Sequence, residues 1–111
     1  MARAMRTAPF MVQPPWNKAL STDRTDAELL SQFLSHTDSS AEAAFAALVE
    51  RHGPIVRWVC LNVLGDVHQS QDAAQAVFLV LSRKARSIQK PDSLGSWLHS
   101  VALREIGRAH V

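Results

Sequence analysis

Residues 44–65 read AFAALVERHGPIVRWVCLNVLG and carry the longest amphipathic pattern in the chain. Apolar residues recur there at steps of three and four, as they do on one face of an α-helix. They are Ala44, Phe45, Leu48, Val49, Ile55, Val56, Val59, Cys60, Val63 and Leu64. Gly53-Pro54 interrupts the pattern, but the apolar stripe resumes after it. The sequence therefore predicts one helix, kinked at Pro54 and ended by Gly65.

Two capping motifs lie on the N-terminal side of this stretch. Thr25 and Glu28 have the spacing of a capping box, which predicts the start of a first, short helix. Its apolar face would hold Leu29, Leu30, Phe33 and Leu34. Ser39 and Glu42 repeat the same spacing, so they predict the start of the long second helix.

Two further helical patterns follow Gly65. A third helix is predicted from about Ser70 to Ala85, and a fourth begins after a cap at Asp92 or Ser93. Pro91 marks the segment between them as a loop. The expected buried residues of these helices are Ala74, Val77, Phe78, Leu81, Leu94, Trp97, Leu98, Val101 and Ala102. Since no stretch alternates as a strand does, the predicted fold is all-α, a small bundle of about four helices.

Length and composition set the domain organisation. The chain has 111 residues, of which 47% are hydrophobic and 20% charged, so it can bury one modest core. Residues 1–24 contain Pro9, Pro14 and Pro15 without a sustained period, which predicts a disordered N-terminal leader. Residues 25–104 form the predicted helical domain. The net charge of +2 is unevenly spread, because acids concentrate before residue 51 and bases after it.

The sequence offers little for catalysis. The one cysteine, Cys60, lies on the apolar stripe, which favours a buried thiol over a nucleophile and fits a reducing, cytoplasmic setting. The five histidines are scattered without a helical metal-site spacing, and no glycine-rich loop precedes a helix. No apolar stretch is long enough to span a bilayer. We therefore expect a protein that is not an enzyme and needs no cofactor or metal.

The most informative charge pattern is RKARSIQK, residues 83–90, with four bases and no acid. Such bases can neutralise phosphates, and an aromatic residue can stack on an exposed base. A solvated helix end explains the same pattern, and on composition the two interpretations are equally good. The spacing of Trp97 places it in the core rather than on a nucleotide.

The order of several motifs resembles region 2 of bacterial sigma-70 family sigma factors. The motifs are Leu64-Gly65-Asp66, QDAAQAVF at residues 71–78 and SWLHSVA at residues 96–102. The nearest likeness is to the extracytoplasmic-function class, and residues 44–56 and 78–85 resemble versions found in planctomycete-like bacteria. The resemblance covers about residues 26–104.

The resemblance implies a role in transcription initiation for each part. The third helix would dock on the clamp helices of the RNA polymerase β′ subunit through Asp72 and Gln75. Ala76 stands where the family usually has a glutamate. The loop and fourth helix would open the minus-ten promoter element and hold its non-template strand. The implied DNA-binding residues are Arg83, Lys84, Arg86, Ser87, Gln89, Lys90 and Arg104.

Residues 105–111 read EIGRAHV, which matches the translation of a common sequencing-library adapter. We expect this tail to be non-native. Because family members continue into a second DNA-binding domain, we expect the chain to be a truncated sigma factor. Its expected partners are core RNA polymerase and promoter DNA, with an anti-sigma factor as a further candidate and no membrane. The alternative is a non-enzymatic helical adaptor or an anti-sigma-like module, in which the basic segment is merely solvated.

Overall fold

The computed structural model describes residues 24–109 as four α-helices joined by short connections. They are α1, Asp26–Ser35; α2, Ser39–Leu64; α3, Val67–Lys84; and α4, Leu94–Ala109. Two 3-10 turns, Ala85–Ser87 and Pro91–Ser93, lie between α3 and α4. Residues 24–109 contain no strand, so the predicted all-α bundle is confirmed. The predicted leader, apart from Arg24, lies outside the described residues.

The capping residues were predicted correctly for α1 but not for α2. The Thr25 hydroxyl accepts from the Glu28 N–H at 3.1 Å, and the Glu28 carboxylate accepts from the Thr25 N–H at 2.8 Å. At α2 the cap is Asp38, whose carboxylate accepts from the Ser40 N–H at 3.0 Å. Neighbouring residues can also form caps, so the sequence allowed several starting positions for α2. The predicted capping box at Ser39 was wrong by one residue.

The long helix is continuous through Pro54, as predicted. Gly65 ends it in the left-handed conformation, with φ of 70°, and donates its N–H to the Leu61 carbonyl at 2.8 Å. A residue with a Cβ would be strained there, which explains the glycine.

The buried face of α2 changes along the helix. Before Pro54, Ala44 and Leu48 are buried, and after it Val56 and Cys60 are buried. Ile55 and Val63 belong to the predicted apolar stripe but are 58% and 50% exposed. The helix α2 packs against α1, α3 and α4, so its buried residues need not follow one straight stripe.

The third helix begins earlier than predicted. The Asp66 carboxylate caps it by accepting from the Gln69 N–H at 2.8 Å, so α3 starts at Val67 rather than near Ser70. Its predicted core residues are all buried. They are Ala74, Val77, Phe78 and Leu81.

The fourth helix follows the Pro91–Ser93 turn, in which the Ser93 N–H donates to the Lys90 carbonyl at 2.9 Å. Leu94, Leu98, Val101 and Ala102 are buried, and Trp97 is partly buried against the core, as predicted. The helix runs beyond Arg104, and Ile106 is buried with the same face.

A polar network fixes α1 to α2. The Asp26 carboxylate lies 2.8 Å from the Arg51 guanidinium and 3.0 Å from Nε2 of His52. The rings of Phe33 and Phe45 meet nearby with their centroids 5.1 Å apart. These contacts hold the first helix against the part of α2 that faces the candidate site.

Candidate functional site

The exposed face of α3 brings the two predicted polymerase-binding residues together. Asp72 and Gln75 are both exposed and one helical turn apart. Leu79 continues the same face one turn further on and is 51% exposed. The prediction did not include Leu79, although the helical period places it outside the buried set formed by Phe78 and Leu81.

These residues line a groove between α2 and α3, called here the α2–α3 groove. Phe45 and Val49 of α2 form its apolar wall, opposite Asp72, Gln75 and Leu79. Arg57 of α2 also lines it. The Arg57 guanidinium lies back against Gly53, where an added Cβ would be 2.9 Å from its Nη1 atom. The groove therefore offers an apolar wall with one acidic and one basic side chain.

A second groove lies between the end of α1 and the start of α2, and is called here the α1–α2 groove. Phe33, Leu34 and Phe45 give it an apolar lining. Its charged lining residues are Asp38, Glu42, Arg83 and Arg86. The structure thus places two of the predicted DNA-binding arginines beside two carboxylates and two phenylalanines.

The remaining predicted residues of the basic segment are exposed around the loop. Lys84, Ser87, Gln89 and Lys90 all face solvent. The Ser87 hydroxyl donates to the Lys84 carbonyl at 2.8 Å, so Ser87 offers a ligand its acceptor lone pairs rather than its proton. Ile88, partly buried against the core, anchors the middle of this segment.

The bases of this segment are not neutralised by carboxylates. Within residues 24–109, ion pairs join Arg51 to Asp26, His52 to Asp26 and Arg108 to Glu105. Arg83, Lys84, Arg86 and Lys90 take part in none of them. Their charges are therefore available to an anionic ligand.

Arg104 lies exposed on α4. Two exposed hydroxyls, Ser96 and Ser100, precede it at steps of four, so the three side chains share one helical face. Sequence reasoning missed these serines, although their spacing from Arg104 could have shown them. They add hydrogen-bonding groups to the polar face of α4.

The thiol of Cys60 is not part of this surface. The residue is buried in the core, and burial raises the pKa of the Cys60 thiol by disfavouring the thiolate. Among the described residues, no group of three or more histidines, cysteines or carboxylates is placed to hold a metal ion. No helix in that part of the chain is long and apolar enough to cross a membrane. The surface features are grooves and charges suited to binding.

A comparison with known protein families gave a match. The family model described as Sigma-70 region 2 matches residues 48–110, which is more than half of the chain. The match includes most of α2, all of α3, the loop and α4, and so includes Asp72, Gln75 and the whole basic segment. Searches of curated proteins and of solved structures gave no match.

Proposed function

The chain belongs to the sigma-70 family through region 2, a family of sigma factors in transcription initiation, and on that premise we propose two binding surfaces. The α2–α3 groove binds the clamp helices of the β′ subunit of core RNA polymerase. The loop between α3 and α4, together with the polar face of α4, binds the non-template strand of the minus-ten promoter element. A sigma factor of this kind works beside the polymerase, in the cytoplasm, and performs no catalysis itself.

The observation that carries the polymerase proposal is the pairing of Asp72 and Gln75 on the exposed face of α3. A helical partner lying in the α2–α3 groove would pack an apolar residue against Phe45, Val49 and Leu79. It would place a basic side chain near Asp72 and an amide or hydroxyl group near Gln75. This is the helix-in-groove mode of recognition, in which apolar anchors give affinity and the polar rim fixes the orientation.

The observation that supports DNA binding is a set of exposed basic side chains that form no ion pair within residues 24–109. They lie next to exposed hydroxyl and amide groups. Lys84, Lys90 and Arg104 would hold phosphates, which fixes the path of the strand without reading its sequence. Gln89 and the acceptor oxygen of Ser87 would contact the edge of an unstacked base.

Promoter opening then needs no nucleotide hydrolysis by this protein. Unstacking a base costs a few kcal/mol, and contacts made only to the single strand offset that cost. A protein that binds the open form better than the duplex shifts the equilibrium towards the open form by its difference in affinity. We propose that this difference arises at the α3–α4 loop and on α4.

The test of the polymerase surface is a binding measurement with purified core polymerase. Asp72→Ala combined with Gln75→Ala is expected to weaken binding about tenfold or more, since it removes a charged contact and a hydrogen bond. Asn62→Ala, which removes an exposed amide from α2 away from the groove, is the matched control and should bind normally. Equal binding by the double variant and the control would contradict the assignment. If the unaltered chain does not bind core polymerase at all, the adaptor alternative is favoured.

A further inference from the structure

The two grooves adjoin each other along the exposed side of α3. Phe45 and Ser82 line both of them. The combined groove therefore runs from Asp72 and Gln75, past Leu79, to Arg83 and Arg86. Asp72 and Arg83 are eleven residues apart, which corresponds to about 16 Å along a helix. A partner helix of three turns has that length.

The charges at the far end of this groove distinguish a protein partner from a nucleic acid. Arg83 and Arg86 share the α1–α2 groove with Asp38 and Glu42, and none of the four forms an ion pair within residues 24–109. A phosphate drawn to the arginines would also meet the two carboxylates, and like charges in one site disfavour binding. A helix that carries both an acid and a base can satisfy both sets of side chains.

The lining of the groove points the same way. Phe33, Leu34 and Phe45 add an apolar surface to the groove that both sets of charges line, and the Phe33 and Phe45 rings are already packed together. Apolar anchors flanked by opposite charges match an amphipathic helix better than they match a phosphate backbone. Lys84 and Lys90 line neither groove, which leaves them for the DNA.

We infer that Arg83 and Arg86 bind acidic side chains of core RNA polymerase, and that they extend the surface of Asp72 and Gln75 instead of contacting promoter DNA. This inference rests on the proposed function, because it takes the polymerase as the occupant of the α2–α3 groove. The occupant is a helical segment with apolar anchors for Phe33, Phe45 and Leu79. Its acids face Arg83 and Arg86, and its bases face Asp38, Glu42 and Asp72.

Two measurements on the full chain test the inference. The first is affinity for core polymerase, and the second is the salt dependence of single-stranded DNA binding by the complex at saturating chain concentration. Arg83→Gln combined with Arg86→Gln keeps much of each side chain's length while removing its charge. This variant should bind polymerase about tenfold more weakly or worse, with an unchanged salt slope for DNA. Arg83→Lys combined with Arg86→Lys keeps the charges and should recover part of the affinity.

The matched control is Lys90→Ala combined with Arg104→Ala, which also removes two exposed charges. It should leave polymerase affinity unchanged and lower the salt slope by about 1.4, since each single-strand phosphate contact contributes about 0.7. The inference is overturned if the arginine variant lowers the salt slope, or if it binds polymerase normally. If Asp72→Ala with Gln75→Ala also binds polymerase normally, the proposed function fails as well. If only the arginine variant binds normally, the proposed function stands and the inference alone is wrong.

Discussion

At the scale of single residues, the Asp26 carboxylate contacts two residues of α2 at once. It lies in the first turn of α1 and contacts Arg51 and His52 of α2, with side chains that are only 13–23% exposed. Hydrogen bonds to a charged group in such a setting contribute about 1.5–3 kcal/mol. The network therefore helps to hold α1 in place beside the α1–α2 groove.

Asp26→Ala is expected to lower the free energy of unfolding by about 1.5–3 kcal/mol, because it removes the carboxylate that contacts both Arg51 and His52. Urea unfolding followed by circular dichroism measures this. Asp72→Ala is the control, since Asp72 is exposed and makes no ion pair within the described chain, and its effect should stay within about 0.5 kcal/mol. Equal losses in the two variants would show that the network does not stabilise the fold.

At the scale of helices, the sequence identified which segments are helical better than where they begin. The i, i+3, i+4 pattern of α2 extends over many residues and predicted one continuous helix, which the structure confirms. The predicted start of α2 was wrong because Asp38, Ser39 and Ser40 are all cap-forming residues, and the local sequence pattern does not distinguish between them. The start of α3 was late because its first turn, at Val67, carries no apolar stripe to mark it.

Two residues of the predicted apolar stripe are exposed for a different reason. Periodicity shows that Ile55 and Val63 lie near an apolar stripe, but not which neighbouring helix covers which part of it. The helix α2 packs against three others, so its buried side turns between Leu48 and Val56. That turn is a property of the tertiary arrangement and is absent from any local pattern.

The contrast between two glycines tests the helix boundaries. Gly65 ends α2 at φ of 70°, whereas Gly95 lies in the first turn of α4 with nothing within 4 Å of an added Cβ. Gly65→Ala should destabilise the fold by about 1–2 kcal/mol, because an L-residue is strained in the left-handed region. Gly95→Ala should stabilise it by about 0.5–1 kcal/mol, because alanine loses less conformational freedom in a helix. Thermal unfolding of both variants checks this, and a loss of stability at Gly95 matching that at Gly65 would contradict it.

At the scale of the whole molecule, the residue types of the site were predictable and their grouping was not. Asp72 and Gln75 share one turn of one helix, so the sequence alone could place them together. Arg83 and Arg86 were grouped with Lys84 and Lys90 because they are neighbours in the chain. Only the packing of α1, α2 and α3 brings the two arginines beside Asp38 and Glu42.

The non-native origin of residues 105–111 is a proposal that rests on the sequence. The structure continues α4 to Ala109 and buries Ile106, which lies one turn beyond Ala102 on the same apolar face. We propose that residues 105–111 are encoded by adapter sequence. Resequencing the locus should give different residues after Arg104, and recovery of the same seven codons would overturn the proposal.

The central claim is that this chain enables core RNA polymerase to bind the non-template strand of the promoter. Its most direct test uses labelled single-stranded oligonucleotides that represent both strands of a promoter library. Their fluorescence anisotropy is measured with core polymerase, with the chain, and with both together. The account predicts binding that prefers non-template minus-ten sequences only when both proteins are present. It also predicts that Lys90→Ala with Arg104→Ala weakens this binding without dissociating the proteins. Strand preference that is the same for core polymerase with and without the chain would contradict the account.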